Sequence, residues 1–388
     1  MRHKIINTWL ACLLVLLAIT ACDGDAGGVG EKAQFVFKLE LPPALEVTTR
    51  AETTTNPSLD GITIENVWVV QYNATGGTDD GNFLKAACFT SGGTLSLEGK
   101  ILTVDTQGAD FSSVSSRFYV IVNAGSNFLD NFIKEGNTDK SETALQAMQV
   151  SLTNIADNIK AELKLMAAGP LDYTPGSDGK VVLTAPLNRA YAKVSVKWVK
   201  NIDAPGTFDI TGMDIYNLPS KMALYTRGGG SLSSTYPTLD ADITAGPTAV
   251  ATTMSSGTDY YFWMPENLRG MGTAPSFAEK GLKKYGPTKE SDGSSSLKNC
   301  TYLVLKGTYK YDNMAADVNN TIAVEYHIYL GTNLKTDYNI QRGFFYQLTL
   351  KLSGANTGDV RVRITDGRVV VFDKVEKIEH EIEFGDEK

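Results

Sequence analysis

Ala33-Gln-Phe-Val-Phe-Lys-Leu-Glu-Leu41 is the stretch on which the reading of this chain turns. Ala33, Phe35, Phe37, Leu39 and Leu41 fall on one side of a period-two pattern, with Gln34, Val36, Lys38 and Glu40 on the other. That alternation predicts a β-strand with one buried face. Pro42-Pro43 ends it, because proline has no N–H to give to a ladder. Residues 47–58 follow as a polar, threonine-rich stretch without period, carrying a single arginine, Arg50. They read as an exposed loop.

On the N-terminal side, Arg2 and Lys4 precede a short apolar run over residues 10–19 that ends in Ile-Thr-Ala-Cys. The run has the length and flanks of a secretory signal and is too short for a permanent membrane span. Ala21 ahead of Cys22 resembles a bacterial lipobox, and Asp23-Gly-Asp-Ala-Gly-Gly28 reads as a flexible tether. The expected product is a lipoprotein acylated on Cys22, since several acyl chains anchor where one binds only marginally.

On the C-terminal side, short strands are expected at 62–72, 83–89, 94–97, 101–104 and 118–123. Leu145, Met148, Leu152, Ile155, Ile159 and Leu163 recur at helical spacing and predict one or two amphipathic helices within 141–166. Residues 165–180, rich in Gly, Pro, Asp and Ser, read as a loop. Alternation resumes at Val181, and strands are expected at 208–218, 222–225, 259–264, 300–311, 321–329, 344–352, 360–364 and 368–372. Long loops are expected at 228–258 and 266–298, the second mobile. The fold class expected is all-β: two tandem antiparallel β-sandwiches, the first with a helical insertion. The divisions are 1–21 as signal, 22–50 as propeptide, 51–183 and 184–372 as sandwich domains, and 373–388 as tail.

Composition narrows the function. Of 388 residues, 36 are basic and 44 acidic, a net charge of −8, so no nucleic-acid partner is expected. Only three histidines occur, His3, His327 and His380, which argues against a histidine-built metal centre or triad. No nucleophile elbow, phosphate loop or zinc-protease motif is present, so neither an enzyme nor a cofactor or metal is expected. Asp79-Asp80 and Asp240/Asp242 read as solvated turns, Cys88 and Cys300 as buried thiols, and Tyr260 to Trp263 as at least half core.

Four segments carry a family resemblance. They are Phe118-Tyr-Val-Ile-Val-Asn-Ala-Gly125, Leu187-Asn-Arg-Ala-Tyr-Ala-Lys-Val-Ser-Val196 and Tyr261-Phe-Trp-Met-Pro-Glu-Asn-Leu-Arg-Gly270, then Tyr329-Leu-Gly-Thr-Asn333 with Asp337-Tyr-Asn-Ile-Gln-Arg342 and Tyr346. Their order and spacing resemble the fimbrillins, the type V pilins of Gram-negative anaerobes, with Gly343 standing where an asparagine is common. The resemblance implies transthyretin-like sandwiches, delivery to the outer membrane as a lipoprotein, and polymerisation into a surface fimbrium by strand exchange with other fimbrial subunits. An Arg-specific surface protease is then expected to cut between Arg50 and Ala51, releasing the displaceable strand of Phe35, Phe37, Leu39 and Leu41. The open groove is a template for another chain's strand. Donor candidates lie within 368–384: Val369, Val371, Ile378, Ile382 and Phe384. Alternatively 368–372 is the last core strand, 374–388 a solvated tail, and Arg50 a loop residue that is never cut. A stalk subunit is the expected role. A tip or anchor subunit, or a monomeric lipoprotein binding a glycan or host adhesion ligand, is the alternative.

Overall fold

The computed structural model describes residues 32–42, 64–90, 94–152, 155, 164–176, 180–202, 206–225, 240–310, 321–353, 367–371, 377–378 and 382–384. They form an all-β protein of two sandwiches. In the first, one sheet runs β10 (Lys180–Pro186), β1 (Lys32–Glu40), β5 (Ile101–Asp105), β4 (Leu95–Glu98), with β6 (Phe111–Ser112) against the start of β1. The facing sheet runs β11 (Asn188–Arg189), β9 (Met166–Tyr173), β7 (Ser116–Val122), β2 (Asn66–Asn73), β3 (Phe83–Thr90). Alternation puts Phe35, Phe37 and Leu39 of the first sheet against Val67, Val69, Phe118 and Val120 of the second, all buried.

β9 occupies the stretch expected to be a loop. Its Gly169-Pro170 sits where the ladder with β7 shifts register between Phe118 and Val120. Gly169 has φ +126°, and a Cβ there would lie 2.8 Å from the Phe118 carbonyl oxygen. The glycine marks a bulge inside a strand rather than a turn.

The insertion holds two short helices, α1 (Asp130–Ile133) and α2 (Glu142–Gln146). Ser141 caps α2, its Oγ accepting from the Ala144 N–H at 3.1 Å. The helical pattern continues past Gln146, but the chain does not: β8 (Gln149–Ser151) follows, laddered to β15 (Lys221–Ala223) of the second sandwich. That pairing corrects the expectation of helix there. Of the stripe beyond Leu152, only Ile155 lies among the described residues.

In the second sandwich, one sheet runs β18 (Tyr260–Pro265), β12 (Tyr191–Lys200), β23 (Phe344–Leu352), β24 (Gly367–Val371), β25 (Lys377–Ile378), with β26 (Ile382–Phe384) also on β23. The other runs β17 (Thr248–Ala251), β13 (Thr207–Tyr216), β21 (Tyr302–Lys310), β22 (Thr321–Tyr329). Two small ladders complete it, β14 (Leu218–Pro219) with β16 (Ile243–Thr244) and β19 (Thr288–Lys289) with β20 (Ser295–Ser296). The segment 266–298, expected to be a mobile loop, holds that β19–β20 hairpin and helix α3 (Phe277–Lys280). Most ladders are antiparallel, while β1/β10, β12/β23 and β23/β26 run parallel. Strands of the first sandwich extend through Arg189 and those of the second begin at Tyr191, so a division at 183/184 falls inside β10.

A third apolar cluster joins the two sandwiches. Trp68, Val70, Tyr119 and Ile121 on the far face of the β2/β7 sheet meet Leu129 and Leu145 of the insertion and Tyr191, Met222, Leu224, Trp263 and Phe345 of the second sandwich. Within it the Lys193 ammonium lies over the rings of Tyr261, Trp263 and Phe345 at 5.0, 5.6 and 5.1 Å. That sheet is therefore apolar on both faces.

Candidate functional site

β1 is an interior strand although it comes first in the chain. On one side it runs parallel to β10, from Gln34 opposite Lys180 to Glu40 opposite Pro186. On the other it runs antiparallel to β5, from Val36 opposite Asp105 to Glu40 opposite Ile101. Where β5 ends, Thr106 continues the ladder: its Oγ1 accepts from Phe35 N–H and donates to Phe35 O, both at 3.0 Å. Thr106 N–H also donates to Phe35 O at 3.0 Å. Gln34 Nε2 donates to Asp105 Oδ1 at 2.8 Å. At the far end, Leu41 N–H donates to Lys100 O at 2.7 Å, Leu187 N–H to Glu40 O at 2.9 Å, and the buried Arg189 reaches Pro42 O at 3.4 Å.

The inward face of β1 is aromatic. Phe35 packs on Phe118 and Tyr173 with ring centroids 4.7 and 4.9 Å away, and Phe37 on Phe118 at 5.2 Å. Phe35, Phe37 and Leu39 are wholly buried and Leu41 is 7% exposed. Burial of four such side chains is worth roughly 6–12 kcal/mol. The sequence pattern identified these four residues. It did not identify the groove's walls: β10 lies about 140 residues further along, and a parallel partner leaves no hairpin signal. Thr106, Phe111, Phe118, Tyr173 and Arg189 belong to the same groove, and no local motif set them apart as such.

Cys22, Arg50 and Ala51 lie outside the described residues. Among the donor candidates, Val369 and Val371 are in β24, opposite Tyr346 and Phe344 of β23. Ile378 in β25 faces Val369, and Ile382 and Phe384 in β26 face Leu350 and Leu352. All five lie in strands of their own sandwich's sheet, on the side of β23 away from β12. β25 and β26 contribute two- and three-residue ladders, so their departure leaves the β18/β12/β23 pairing intact.

Two of the four segments that carry the fimbrillin resemblance, 261–270 and 329–346, meet in a largely buried polar knot. Arg342 makes a forked pair with Glu266, Nε to Oε2 at 3.2 Å and Nη2 to Oε1 at 3.1 Å, and reaches Leu224 O at 3.1 Å. Asn267 Nδ2 donates to Asn299 O at 3.0 Å and Thr301 Oγ1 at 2.8 Å. Asn339 Oδ1 accepts from the N–H groups of Arg269 and Gly270 at 2.8 and 2.6 Å. Asp337 Oδ2 accepts from Thr332 N–H at 2.7 Å and from its hydroxyl. These side chains close loops that no ladder reaches.

The remaining polar candidates have structural partners. Asp80 pairs with Arg117 at 3.2 Å, and Asp242, only 4% exposed as a residue and so no solvated turn, pairs with Lys221 at 2.7 Å. Cys300 is buried as expected, whereas Cys88 is only partly so; desolvation pushes the Cys88 thiol up to about 11 and that of Cys300 to about 12, so both are protonated at neutral pH.

Residues 262–350, which contain most of the polar knot, match the family model of a domain of unknown function, DUF4906. No curated protein matches the chain. Among solved structures, the chain is similar to the tip fimbrial protein Mfa3 of Porphyromonas gingivalis, at 10% identity and a TM-score of 0.49 over 90% of this chain and 99% of that one. It is similar to a fimbrilin (FimA) of the same organism at 13% identity and TM-score 0.46, over 86% and 93% of the two chains. A fimbrial assembly protein of Parabacteroides distasonis is similar at 13% identity and TM-score 0.45, over 90% and 100%. The solved structures that this chain is similar to include these fimbrial proteins and putative cell adhesion proteins.

Proposed function

We propose that this chain is a structural subunit of a surface fimbrium that polymerises by strand exchange at β1. The observation that carries the reading is the position of β1: an apolar strand inserted between β10 and β5, joined to the rest of its sandwich only through 43–63. While that connection holds, β1 faces its groove at an effective concentration on the order of millimolar and outcompetes any strand supplied by another chain. Cleavage between Arg50 and Ala51 removes the advantage. Loss of β1 then leaves Phe111, Phe118 and Tyr173 uncovered and two rows of backbone groups unpaired on β10 and β5.

The donor must alternate as β1 does. Within the candidate segment, Ile378, His380, Ile382 and Phe384 alternate with Glu379, Glu381 and Glu383. That pattern offers one face that is apolar except at His380 and one face of glutamates over seven residues, and its alternation, like that of Phe35 to Leu41, makes 378–384 the better donor than the continuous run at 369–372. Supplying a strand while accepting one fits a stalk position. On this reading the precursor reaches the outer membrane with Cys22 lipidated, and the polymer's partners are further fimbrial subunits.

The test is the N-terminus of the surface-exposed protein, determined beside a gel of boiled and unboiled samples. The expected result is an N-terminus at Ala51 and a heat-sensitive ladder that disappears in Arg50→Ala and in a chain ending at residue 376. A lipidated Cys22 N-terminus with a single monomer band would refute the reading.

A further inference from the structure

The sheet of β17, β13, β21 and β22 ends in a nine-residue edge strand, β22. β22 pairs with β21 along nine consecutive residues with no register shift, from Thr321 opposite Lys310 to Tyr329 opposite Tyr302. Leu330 N–H donates to Thr301 O just beyond it, which makes Leu330/Thr301 a hydrogen-bonded pair. Antiparallel ladders alternate, so Ile328, Tyr326 and Val324 spend their backbone groups on β21. The N–H and C=O of Ala323, Glu325, His327 and Tyr329 point away from the sheet, and none of the described strands takes them up. Among the described residues, β22 has no proline, bulge or inward-pointing charge, and Val324, Tyr326 and Ile328 face the core. The other described outer strands of the four large sheets are shorter: β3 has eight residues, β10 seven, β18 six, β17 and β4 four each, and β11 and β25 two each.

The side chains on the solvent face of β22 select a partner. Ala323, Glu325, His327 and Tyr329 stand along it, with Glu325 and His327 both exposed. In antiparallel pairing of two β22 strands about a two-fold axis, the outward-directed residues must face one another. Axes at Glu325 or at His327 put like residues opposite, two carboxylates in the first case. An axis at Tyr326 puts each Glu325 opposite the other copy's His327, and each Ala323 opposite the other copy's Tyr329. An imidazole N–H donates to a carboxylate opposite it across the ladder, whereas two carboxylates repel. The small Ala323 leaves room for the Tyr329 ring, which already stacks on Tyr302 at 5.0 Å.

We propose that β22 is a homodimerisation edge: a second copy of this chain adds its own β22 antiparallel about an axis at Tyr326, joining two four-stranded sheets into one. This contact is separate from strand exchange at β1, since it uses the opposite sandwich and requires no cleavage. In a fimbrium it would join subunits laterally rather than end to end.

The test is sedimentation of the Arg50→Ala protein over a concentration series, a background in which strand exchange contributes nothing and whose dimer therefore reports on this edge alone. The wild-type edge is expected to give a reversible dimer. His327→Glu, which sets carboxylates opposite each other twice by symmetry, is expected to weaken it by roughly tenfold or more. The double exchange Glu325→His with His327→Glu restores the complementary pairs and is expected to recover it. Glu325→Pro removes an outward N–H without touching the β21 ladder and is expected to abolish the dimer while leaving the far-ultraviolet spectrum unchanged. A protein monomeric at every concentration overturns the proposal. So does a dimer indifferent to both His327→Glu and Glu325→Pro.

Discussion

Lys280 shows how much a single side chain can hold in this fold. It ends α3 with its ammonium wholly buried, donating to Leu330 O at 3.3 Å and Asn333 O at 3.0 Å and lying 5.0 Å from the centre of the Tyr338 ring. Burial lowers its pKa from 10.5 to about 7, against the opposing pull of nearby Asp337. Between those two values the unfolded chain binds a proton that the folded one does not. Stability therefore rises with pH across the window, by at most about 1.4 kcal/mol per unit, and is lost as pH falls toward 7. Denaturant titrations at pH 7 and pH 9 are expected to show that gain, and Lys280→Met to flatten it; an equal gain in the variant would rule out Lys280 as its source. Arg342 makes a second such case, since its forked pair with Glu266 is buried, the side chains 8% and 12% exposed. Arg342→Ala removes the forked pair and the bond to Leu224 O, and is expected to cost about 3–5 kcal/mol by chemical denaturation. A loss under about 1 kcal/mol would mean that the pair is solvated after all.

Among the elements, β1 and β9 mark what the sequence could and could not convey. Nine alternating residues ending at Pro42-Pro43 made β1 legible, because its outer face remains polar at Gln34, Lys38 and Glu40. β9 was hidden by its own Gly169-Pro170, which reads locally as a turn and becomes strand only when β7 supplies the partner and the bulge absorbs the extra residue. Similarly, the stripe after Leu145 is helical by period yet becomes β8, because β15 offers it a ladder. The motif residues Glu266, Asn267, Asn339 and Arg342 stood out in the sequence, but their joint burial depends on loops brought together by the sheets. At Gly169 the argument is testable. Gly169→Ala meets Phe118 O at 2.8 Å and Tyr119 Cδ1 at 3.0 Å, whereas Gly108→Ala, also at positive φ, meets nothing within 4 Å. The first is expected to cost at least about 2 kcal/mol more than an ordinary surface change, and the second only its backbone strain of about 1 kcal/mol. Equal losses would mean that the close approach to β7 is unimportant.

At the level of the whole molecule, the apolar cluster between the sandwiches decides how a subunit would carry load. If strand exchange enters at the β1 groove and leaves through the C-terminal segment, force passes from the first sandwich to the second. The covalent crossing at Arg189–Tyr191 is a few residues long, so the load rests on noncovalent contacts: the β8/β15 ladder, Tyr225 donating to Val120 O at 3.2 Å, and the burial of Met222, Leu224, Trp263 and Phe345 against the β2/β7 sheet. A contact of that kind couples the two unfolding equilibria, because opening either sandwich uncovers the far face of the other. Differential scanning calorimetry of the intact chain is therefore expected to give one transition whose calorimetric and van't Hoff enthalpies agree. Leu224→Asp replaces a buried apolar side chain of the cluster with a carboxylate and is expected to split the trace into two, with each sandwich's own core still in place. Two transitions in the unaltered protein would show that the sandwiches unfold independently, and the load transfer argued from this cluster would fail with that result.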